Sequence, residues 1–150
     1  MREDIFPVCA PSLIENGSGL SVPADLRHYP LIHDDMEEDW SMWLKAAGLT
    51  DIDPARGTGY THSNLVIQAA IAGDGVALGR GLLVADSIAA GKLVAPFDLA
   101  LTANYRYYVA STETNYDRPK VRVFRDWLFR EARETASRLA EGQGAREGGA

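Results

Sequence analysis

Small and apolar residues recur at helical spacing before a short apolar stretch in the middle of the chain. The residues on this face are Leu65, Val66, Ala69, Ala70, Ala72 and Gly73. The spacing predicts a helix whose small face packs closely against a sheet. Gly73 and Gly75 can adopt the positive φ values that end a helix, and residues 76–78 are short and apolar, as in an interior strand. A buried helix that turns tightly into a buried strand is half of an α/β unit.

Two strands and a helix are predicted ahead of this unit. Residues 5–9 form a strand that Pro7 confines to a sheet edge or to a crossing between two lobes. Residues 31–33 form a second short strand. An acidic first turn at residues 37–39 then begins a helix that Gly48 ends. The apolar face of that helix carries Trp40, Trp43, Leu44 and Ala47.

Three further elements are predicted after the central unit. Residues 82–90 form an amphipathic helix with Leu83, Val84 and Ile88 facing inward. A short strand follows at residues 92–94. Residues 105–110 alternate between apolar and polar side chains and are rich in β-forming residues. This pattern predicts a strand with one more solvent-exposed face.

The last predicted helix begins near Asp117, a capping residue, and has Pro119 in its first turn. One face is apolar, with Val121, Phe124, Trp127, Leu128 and Ala132. The other face alternates in charge, with Arg122, Asp126, Arg130, Glu134 and Arg138. Because each basic residue has an acidic neighbour, a row of solvated ion pairs is favoured over a nucleic-acid surface. Residues 141–150 are glycine-rich and polar, which predicts a disordered tail.

The composition is that of one globular domain, with 150 residues of which 46% are hydrophobic and 24% charged. The net charge of -6 argues against nucleic-acid binding by this chain, because such binding depends on basic residues that neutralise phosphates. The single cysteine, Cys9, excludes an internal disulfide and fits a reducing compartment. No apolar run near the start is long enough for a signal or membrane helix, so a cytoplasmic protein with no membrane partner is expected.

No catalytic constellation is recognisable. Residues 73–81 lack the third glycine of a dinucleotide fingerprint and the Gly-Lys of a P-loop, so these glycines are interpreted as turn formers. The acidic residues after His33 could suggest a metal site, but carboxylates at a helix start are stabilised by the helix dipole without a metal. Cys9 is interpreted as a small core residue. The sequence predicts no enzyme activity, no metal and no cofactor.

Several strings occur together in one order: residues 6–13, Asp39-Trp40 with Trp43-Leu44 and Ala47-Gly48, residues 68–81, residues 93–97 and residues 124–128. Together they resemble the effector-binding domain of LysR-type transcriptional regulators, and most of all the glycine cleavage activator subgroup. The resemblance covers about residues 4–136. Each string alone is weak, and their joint order and spacing are specific.

The resemblance implies an α/β fold of the periplasmic-binding-protein-like type II class, with two lobes joined by two crossing strands. Residues 1–10 match the first crossing strand, residues 11–104 the second α/β lobe, and residues 105–140 the returning strand and C-terminal helix of the first lobe. Residues 141–150 remain the predicted tail. The family's winged helix-turn-helix, linker helix and most of the first lobe have no counterpart here. The chain therefore resembles the C-terminal part of a regulator.

The implied function is a sensor that binds a small anionic effector, an amino acid or another carboxylate, in a cleft between the lobes. Tyr60, Thr61, His62 and Ser63 match the family's cleft-facing approach to a helix N-terminus, where backbone N–H groups attract negative charge. The alternative that Ser63 only caps its helix stays open. His33, at the end of a neighbouring strand, is a weaker candidate.

The resemblance also sets expectations for partners. DNA would be contacted only through the family's N-terminal domain, and a homo-oligomer is expected. The alternative function is a solute-binding protein of the same fold, against which the lack of a secretory signal argues.

Overall fold

The computed structural model describes residues 3–15, 19–35, 39–104 and 106–144. The strands are β1 (Asp4–Val8), β2 (Leu31–His33), β3 (Thr58–Gly59), β4 (Val76–Arg80) and β5 (Leu101–Thr102). The helices are α1 (Ser12–Glu15), α2 (Trp40–Ala46), α3 (Ser63–Ala72), α4 (Gly81–Ala89), α5 (Glu113–Tyr116) and α6 (Pro119–Gly144), with a 3₁₀ helix at Pro23–His28.

Within the described residues, the strands form one mixed sheet in the order β3-β2-β4-β1-β5. Strand β2 is parallel to β3 and β4, with Ile32 opposite Ala77, and β1 is antiparallel to β4 and β5. Strands β2, β3 and β4 therefore finish at one end of the sheet, which we call the carboxyl end. Strand β1 begins at that end and β5 finishes there, because Asp4 lies opposite Thr102.

The sheet is covered on both faces, which confirms the predicted α/β unit. Leu31 and Val76 point to one face and Ile32 and Ala77 to the other, as alternation along a strand requires. The first face packs against α2 and the 3₁₀ helix, in a cluster containing Leu20, Leu26, Tyr29, Trp40, Trp43, Leu44 and Phe97. The second packs against α3 and α4, in a cluster containing Phe6, Val8, Val66, Ala69, Ala70, Val84 and Leu93.

Glycines allow the close approach of α3, β4 and their neighbours. Gly73 ends α3 with φ at 86°, as predicted. A Cβ on Gly75 would lie 2.4 Å from the Pro30 carbonyl oxygen, so only glycine fits there. Gly79 is not in a turn, contrary to the prediction, but lies within β4, where a Cβ would lie 2.9 Å from a Val8 methyl. Its role is to let β4 pack closely against neighbouring side chains.

Strand β1 is not at a sheet edge, because it lies between β4 and β5. Pro7 is tolerated there because of where its missing N–H would point. The Cys9 N–H, two residues on, donates to the Val94 carbonyl at 3.0 Å, on the side away from β4. Pro7 therefore faces the stretch between Val94 and β5, where no ladder bond to β1 is required. The strand predicted at residues 92–94 is reduced to this single bridge.

The predicted strand at residues 105–110 is not observed. Tyr105 lies outside the described residues, and residues 106–110 are exposed and in no strand. A strand needs a partner, and in the part of the chain that the structure describes no strand lies beside them to pair. Of the predicted tail, residues 141–144 continue α6, while residues 145–150 lie outside the described residues.

Helix α6 begins at Pro119, as predicted, whereas Asp117 ends α5 instead of starting α6. Helix α6 packs against α4, and an Arg138 nitrogen lies 3.8 Å from an Asp86 oxygen.

Helix α4 begins as expected, but its predicted inward residue Leu83 is 45% exposed. None of the described helices has an apolar stretch long enough to cross a membrane.

Candidate functional site

The predicted site residues lie at the carboxyl end of the sheet. His33 is the last residue of β2, Tyr60 follows β3, and Ser63 is the first residue of α3. The Tyr60 N–H donates to the His33 carbonyl at 2.9 Å, which joins the ends of the two parallel strands. The chain then turns through Thr61 and His62, both exposed, into α3. The structure therefore brings the five predicted residues together at one end of the sheet.

Ser63 does not cap α3, and the capping alternative is therefore wrong. His62 occupies the N-cap position without a side-chain cap bond. The Ser63 hydroxyl instead donates to an Asp34 carboxylate oxygen at 3.1 Å. Asp34 directly follows β2, so a carboxylate lies beside the N-terminus of α3.

His62 and Thr61 contact each other, with the Thr61 hydroxyl 2.8 Å from His62 Nδ1. His33 has a structural bond of its own: its Nε2 lies 2.8 Å from the Arg56 carbonyl and donates to it. The Arg56 guanidinium in turn donates to the carbonyls of Leu26, Arg27 and Tyr29 around the end of the 3₁₀ helix. His33 therefore fixes the loop that leads into β3.

A second helix begins at the same end. Asp39 is the N-cap of α2 and accepts from the backbone N–H groups of Ser41 and Met42 at 2.9 and 3.2 Å. Burial alone would raise the pKa of Asp39, but the Ser41 hydroxyl and these N–H groups outweigh it and lower that pKa. The predicted capping role of the acidic stretch is confirmed for Asp39, while Glu37 and Glu38 lie outside the described residues. Among the described residues, no cluster of three His, Cys, Asp or Glu could hold a metal.

A small depression lies where β2 meets α2. It holds about 10 Å³ and is lined by Ile32, His33, Asp34, Asp39, Trp40 and Leu78. That volume is enough for about one water molecule. As far as the described residues form it, the predicted site is therefore an open wall at the sheet end.

Asp34 lies among the predicted site residues, although the sequence does not single it out as one of them. The rule that points to His33, that ligands collect where parallel strands end, applies equally to the next residue. In the sequence Asp34 belongs to an acidic run at a helix start. Its pairing with Ser63 spans 29 positions and is not visible in any local pattern.

A larger cavity of about 580 Å³ lies between residues 109–112 and α6. It contains none of the predicted site residues. Its walls include Tyr116, Val121, Phe124 and Phe129, which belong to α5 and to the largely exposed apolar face of α6. We attribute this cavity to an uncovered helix face, since no strand end or helix N-terminus of the carboxyl end points into it.

Comparison with known proteins agrees with this geometry. The family model described as LysR substrate binding domain matches residues 1–133. The chain is 35% identical over 130 residues to the glycine cleavage system transcriptional activator of Escherichia coli K12, covering 87% of this chain and 43% of that protein. It is 31% identical over 144 residues to the HTH-type transcriptional regulator DsdC of the same strain, covering 91% and 46%. The chain thus spans less than half the length of these curated relatives.

Solved structures give the same result. The effector domain of the transcriptional regulator AmpR of Pseudomonas aeruginosa matches with a TM-score of 0.66 and 25% identity, over 92% of this chain and 66% of that one. The AmpR effector binding domain from Citrobacter freundii matches with a TM-score of 0.63 and 23% identity, over 92% and 64%. With the mixed sheet described above, these matches confirm the predicted periplasmic-binding-protein-like fold class. The family match spans most of the chain, and this protein belongs to the LysR substrate-binding domain family.

Proposed function

We propose that this chain is the effector-sensing part of a LysR-family transcriptional regulator, and that its effector is a small zwitterion of the amino-acid type. The observation that carries the proposal is the Ser63–Asp34 hydrogen bond. It sets a carboxylate beside a helix N-terminus, at the end of a sheet where α/β folds bind ligands. A carboxylate, which attracts a cation, therefore lies beside a helix N-terminus, which attracts an anion.

The helix start supplies the attraction for an anion. Helix α3 has ten residues, and its first N–H groups, those of Ser63 and Asn64, have no partner within the helix. Such a terminus behaves as roughly half a positive charge and favours a carboxylate by about 0.3–1 kcal/mol at a surface.

Asp34 decides which anion can bind. Two like charges about 4 Å apart repel by about 4 kcal/mol near a protein surface, which exceeds the helix-dipole term. A simple carboxylate would therefore be rejected. An ammonium group on the same ligand converts that repulsion into attraction, so the pair selects a molecule that carries both charges.

The relatives support the sensor role over the alternatives. They are transcriptional regulators, and one is named as the activator of a glycine cleavage system. This favours a regulator over an enzyme or a solute-binding protein. With a net charge of -6, this chain is not the part that binds DNA, which we assign to the remainder of a longer cytoplasmic regulator.

Affinity for the effector is expected to be weak in this chain. Small-molecule sites usually enclose most of their ligand, whereas the carboxyl end is an open wall. We expect dissociation constants on the order of millimolar, equivalent to about 4 kcal/mol.

Ligand titration followed by heteronuclear NMR tests the proposal. Glycine and alanine should shift the backbone signals of Asp34, Ser63 and Asn64, whereas acetate, which carries the negative charge alone, should not. Asp34→Asn should weaken amino-acid binding about tenfold or more and allow acetate to bind, because the repelling charge is gone. The matched control is Asp35→Asn, which removes a neighbouring exposed carboxylate. Equal responses to acetate in the wild type and in Asp34→Asn would contradict the proposal.

A further inference from the structure

The loop that leads into β3 is fastened on one side to the end of the 3₁₀ helix. The Arg56 guanidinium donates to three backbone carbonyls there, those of Leu26, Arg27 and Tyr29. The bonds to Arg27 and Tyr29 measure 2.6 and 2.7 Å. A planar guanidinium offers its donors in fixed directions, so these bonds together define where Arg56 lies.

On its other side the same loop lies directly on β2. Gly57 has φ at 111°, and a Cβ there would lie 1.9 Å from the Leu31 carbonyl oxygen, so only glycine fits. The Arg56 carbonyl accepts a bond of 2.8 Å from His33 Nε2. Because a carbonyl can only accept, Nε2 carries the proton in this contact. Residues 56 and 57 are therefore held between the 3₁₀ helix and β2.

The segment of residues 56–63 is tied at both ends to two consecutive residues, His33 and Asp34. Near its start, the His33 ring binds the Arg56 carbonyl, and the His33 carbonyl accepts from the Tyr60 N–H at 2.9 Å. At its other end, the Ser63 hydroxyl donates to Asp34 at 3.1 Å. The placement of the α3 N-terminus beside Asp34 therefore depends on how firmly His33 and Arg56 hold the segment before it.

We propose that His33 and Arg56 are positioning residues of the effector site: they hold residues 58–63 so that the start of α3 lies beside Asp34. The His33 ring then acts through the Arg56 carbonyl and not by contacting the effector. This inference rests on the function proposed above. An open wall gives a ligand few contacts with which to order the segment, so order supplied by the protein contributes directly to affinity.

Two substitutions of His33 separate positioning from direct contact. The side-chain amide in His33→Gln reaches about as far as Nε2 of histidine and can donate to the Arg56 carbonyl, whereas that in His33→Asn reaches only about as far as Nδ1. The control is His28→Asn, at an exposed histidine of the 3₁₀ helix. Hydrogen exchange of the Tyr60 amide, measured without ligand, reports how firmly the segment is held. Glycine affinity from the same NMR titration reports the site, and circular dichroism checks folding.

His33→Asn should accelerate exchange of the Tyr60 amide about fivefold, the effect of losing one hydrogen bond, and weaken glycine binding several-fold. His33→Gln should stay within about twofold of the wild type in both quantities. His28→Asn should change neither. Tyr60 exchange that His33→Asn leaves unchanged would overturn the holding role. Glycine binding that both His33 variants weaken, with Tyr60 exchange unchanged, would show instead that the ring contacts the effector.

Arg56→Lys tests the second positioning residue, because lysine keeps the charge and lacks the planar arrangement of donors. Its control is Arg27→Lys, since Arg27 forms an ion pair with Asp51 at 3.2 Å in which both side chains are about half exposed. Arg56→Lys should change Tyr60 exchange and glycine affinity in the same direction as His33→Asn, and Arg27→Lys should change neither. Equal effects of the two lysine variants would overturn the role of Arg56.

The two readouts keep this inference apart from the proposed function. Faster Tyr60 exchange in His33→Asn with unchanged glycine affinity would overturn the role of His33 in the site alone. A wild-type chain that binds no amino acid would overturn the proposed function, and the positioning role with it. The exchange rates would in that case still show whether His33 holds the segment.

Discussion

Trp43 and Trp127 both lie on the apolar face of an amphipathic helix, yet Trp43 is completely buried and Trp127 is 43% exposed. Trp43 packs edge-on against Trp40, stacks on Phe97 and donates its ring N–H to the Leu99 carbonyl at 3.1 Å. Trp127 contacts Phe124 of its own helix. Sequence spacing thus identifies the apolar face of a helix. Whether that face is buried depends on the sheet and loops that pack against it.

The difference extends to the two regions that contain these residues. In the described part of residues 3–104 both faces of the sheet are covered, and most of the buried large apolar side chains form two clusters. In residues 106–138, by contrast, aromatic side chains remain at the surface, including Tyr108, Tyr116, Phe124 and Phe129. An apolar surface of this kind usually marks a place where another protein surface binds.

The largest expected effect comes from removing the buried tryptophan. Trp43→Ala should lower the free energy of unfolding by about 3–5 kcal/mol, because it loses transfer energy and leaves a cavity. Trp127→Ala should cost less than about 1 kcal/mol, since its side chain is already half in water. Urea unfolding followed by circular dichroism measures both. Similar costs for the two variants would show that α6 is covered in solution.

An intermediate effect is expected at the start of α2. Asp39→Ala should cost about 1 kcal/mol, because it removes a side-chain cap. Thr112→Ala, at the start of α5, should cost little, since Thr112 makes no side-chain cap bond. The difference in unfolding free energy between these two variants compares a helix start that has a side-chain cap with one that lacks it, one in each region.

The contribution of Asp39 should also depend on pH. Its pKa is lowered in the folded chain, so its stabilisation is complete above the unfolded value of 3.8 and is lost as pH falls through the folded value. The gap in unfolding free energy between wild type and Asp39→Ala should therefore shrink in acid. A gap that stays constant down to pH 2 would contradict the capping role.

Substitutions on the exposed face of α6 should have the smallest effect on the free energy of unfolding. The same substitutions should have the largest effect on self-association. Phe124 and Trp127 are 57% and 43% exposed. We expect the chain to self-associate through this face, and the double variant Phe124→Glu with Trp127→Glu to sediment as a monomer with unchanged unfolding. Arg122→Glu with Arg130→Glu, a pair of charge changes on the other face, is the control. A wild-type chain that is strictly monomeric at high concentration would be the contrary result.

The elements that the sequence predicts correctly are those whose partners are near in the chain or whose burial shows in local spacing. Helix α3, the turn at Gly73 and strand β4 follow one another directly, and the face of α2 repeats at helical intervals. Residues 106–110 have equally strong β-forming side chains, but a strand exists only if another strand pairs with it. Their sequence carries no information about that partner.

The sequence predicts where the candidate site residues lie in the fold, but not their hydrogen bonds. Strand ends and a helix start indicate the region around His33 and residues 60–63. The pairing of Ser63 with Asp34 joins positions 29 residues apart, and no spacing rule reaches that far. Capping statistics favoured a Ser63 cap, but the nearby carboxylate offers the hydroxyl a stronger acceptor.

Strand β1 begins and strand β5 ends side by side at the carboxyl end, where the Ala103 N–H donates to the Glu3 carbonyl at 2.8 Å. The segment leading into α6 therefore leaves the sheet at its carboxyl end, and α6 is held a second time where it packs against α4. Helix α6 has 26 residues, which corresponds to about 39 Å at 1.5 Å per residue. A rotation of about 5° at one end of a helix of that length would displace its far end by about 3 Å. Any reorientation of α6 at the sheet end would therefore have to change its packing on α4 as well.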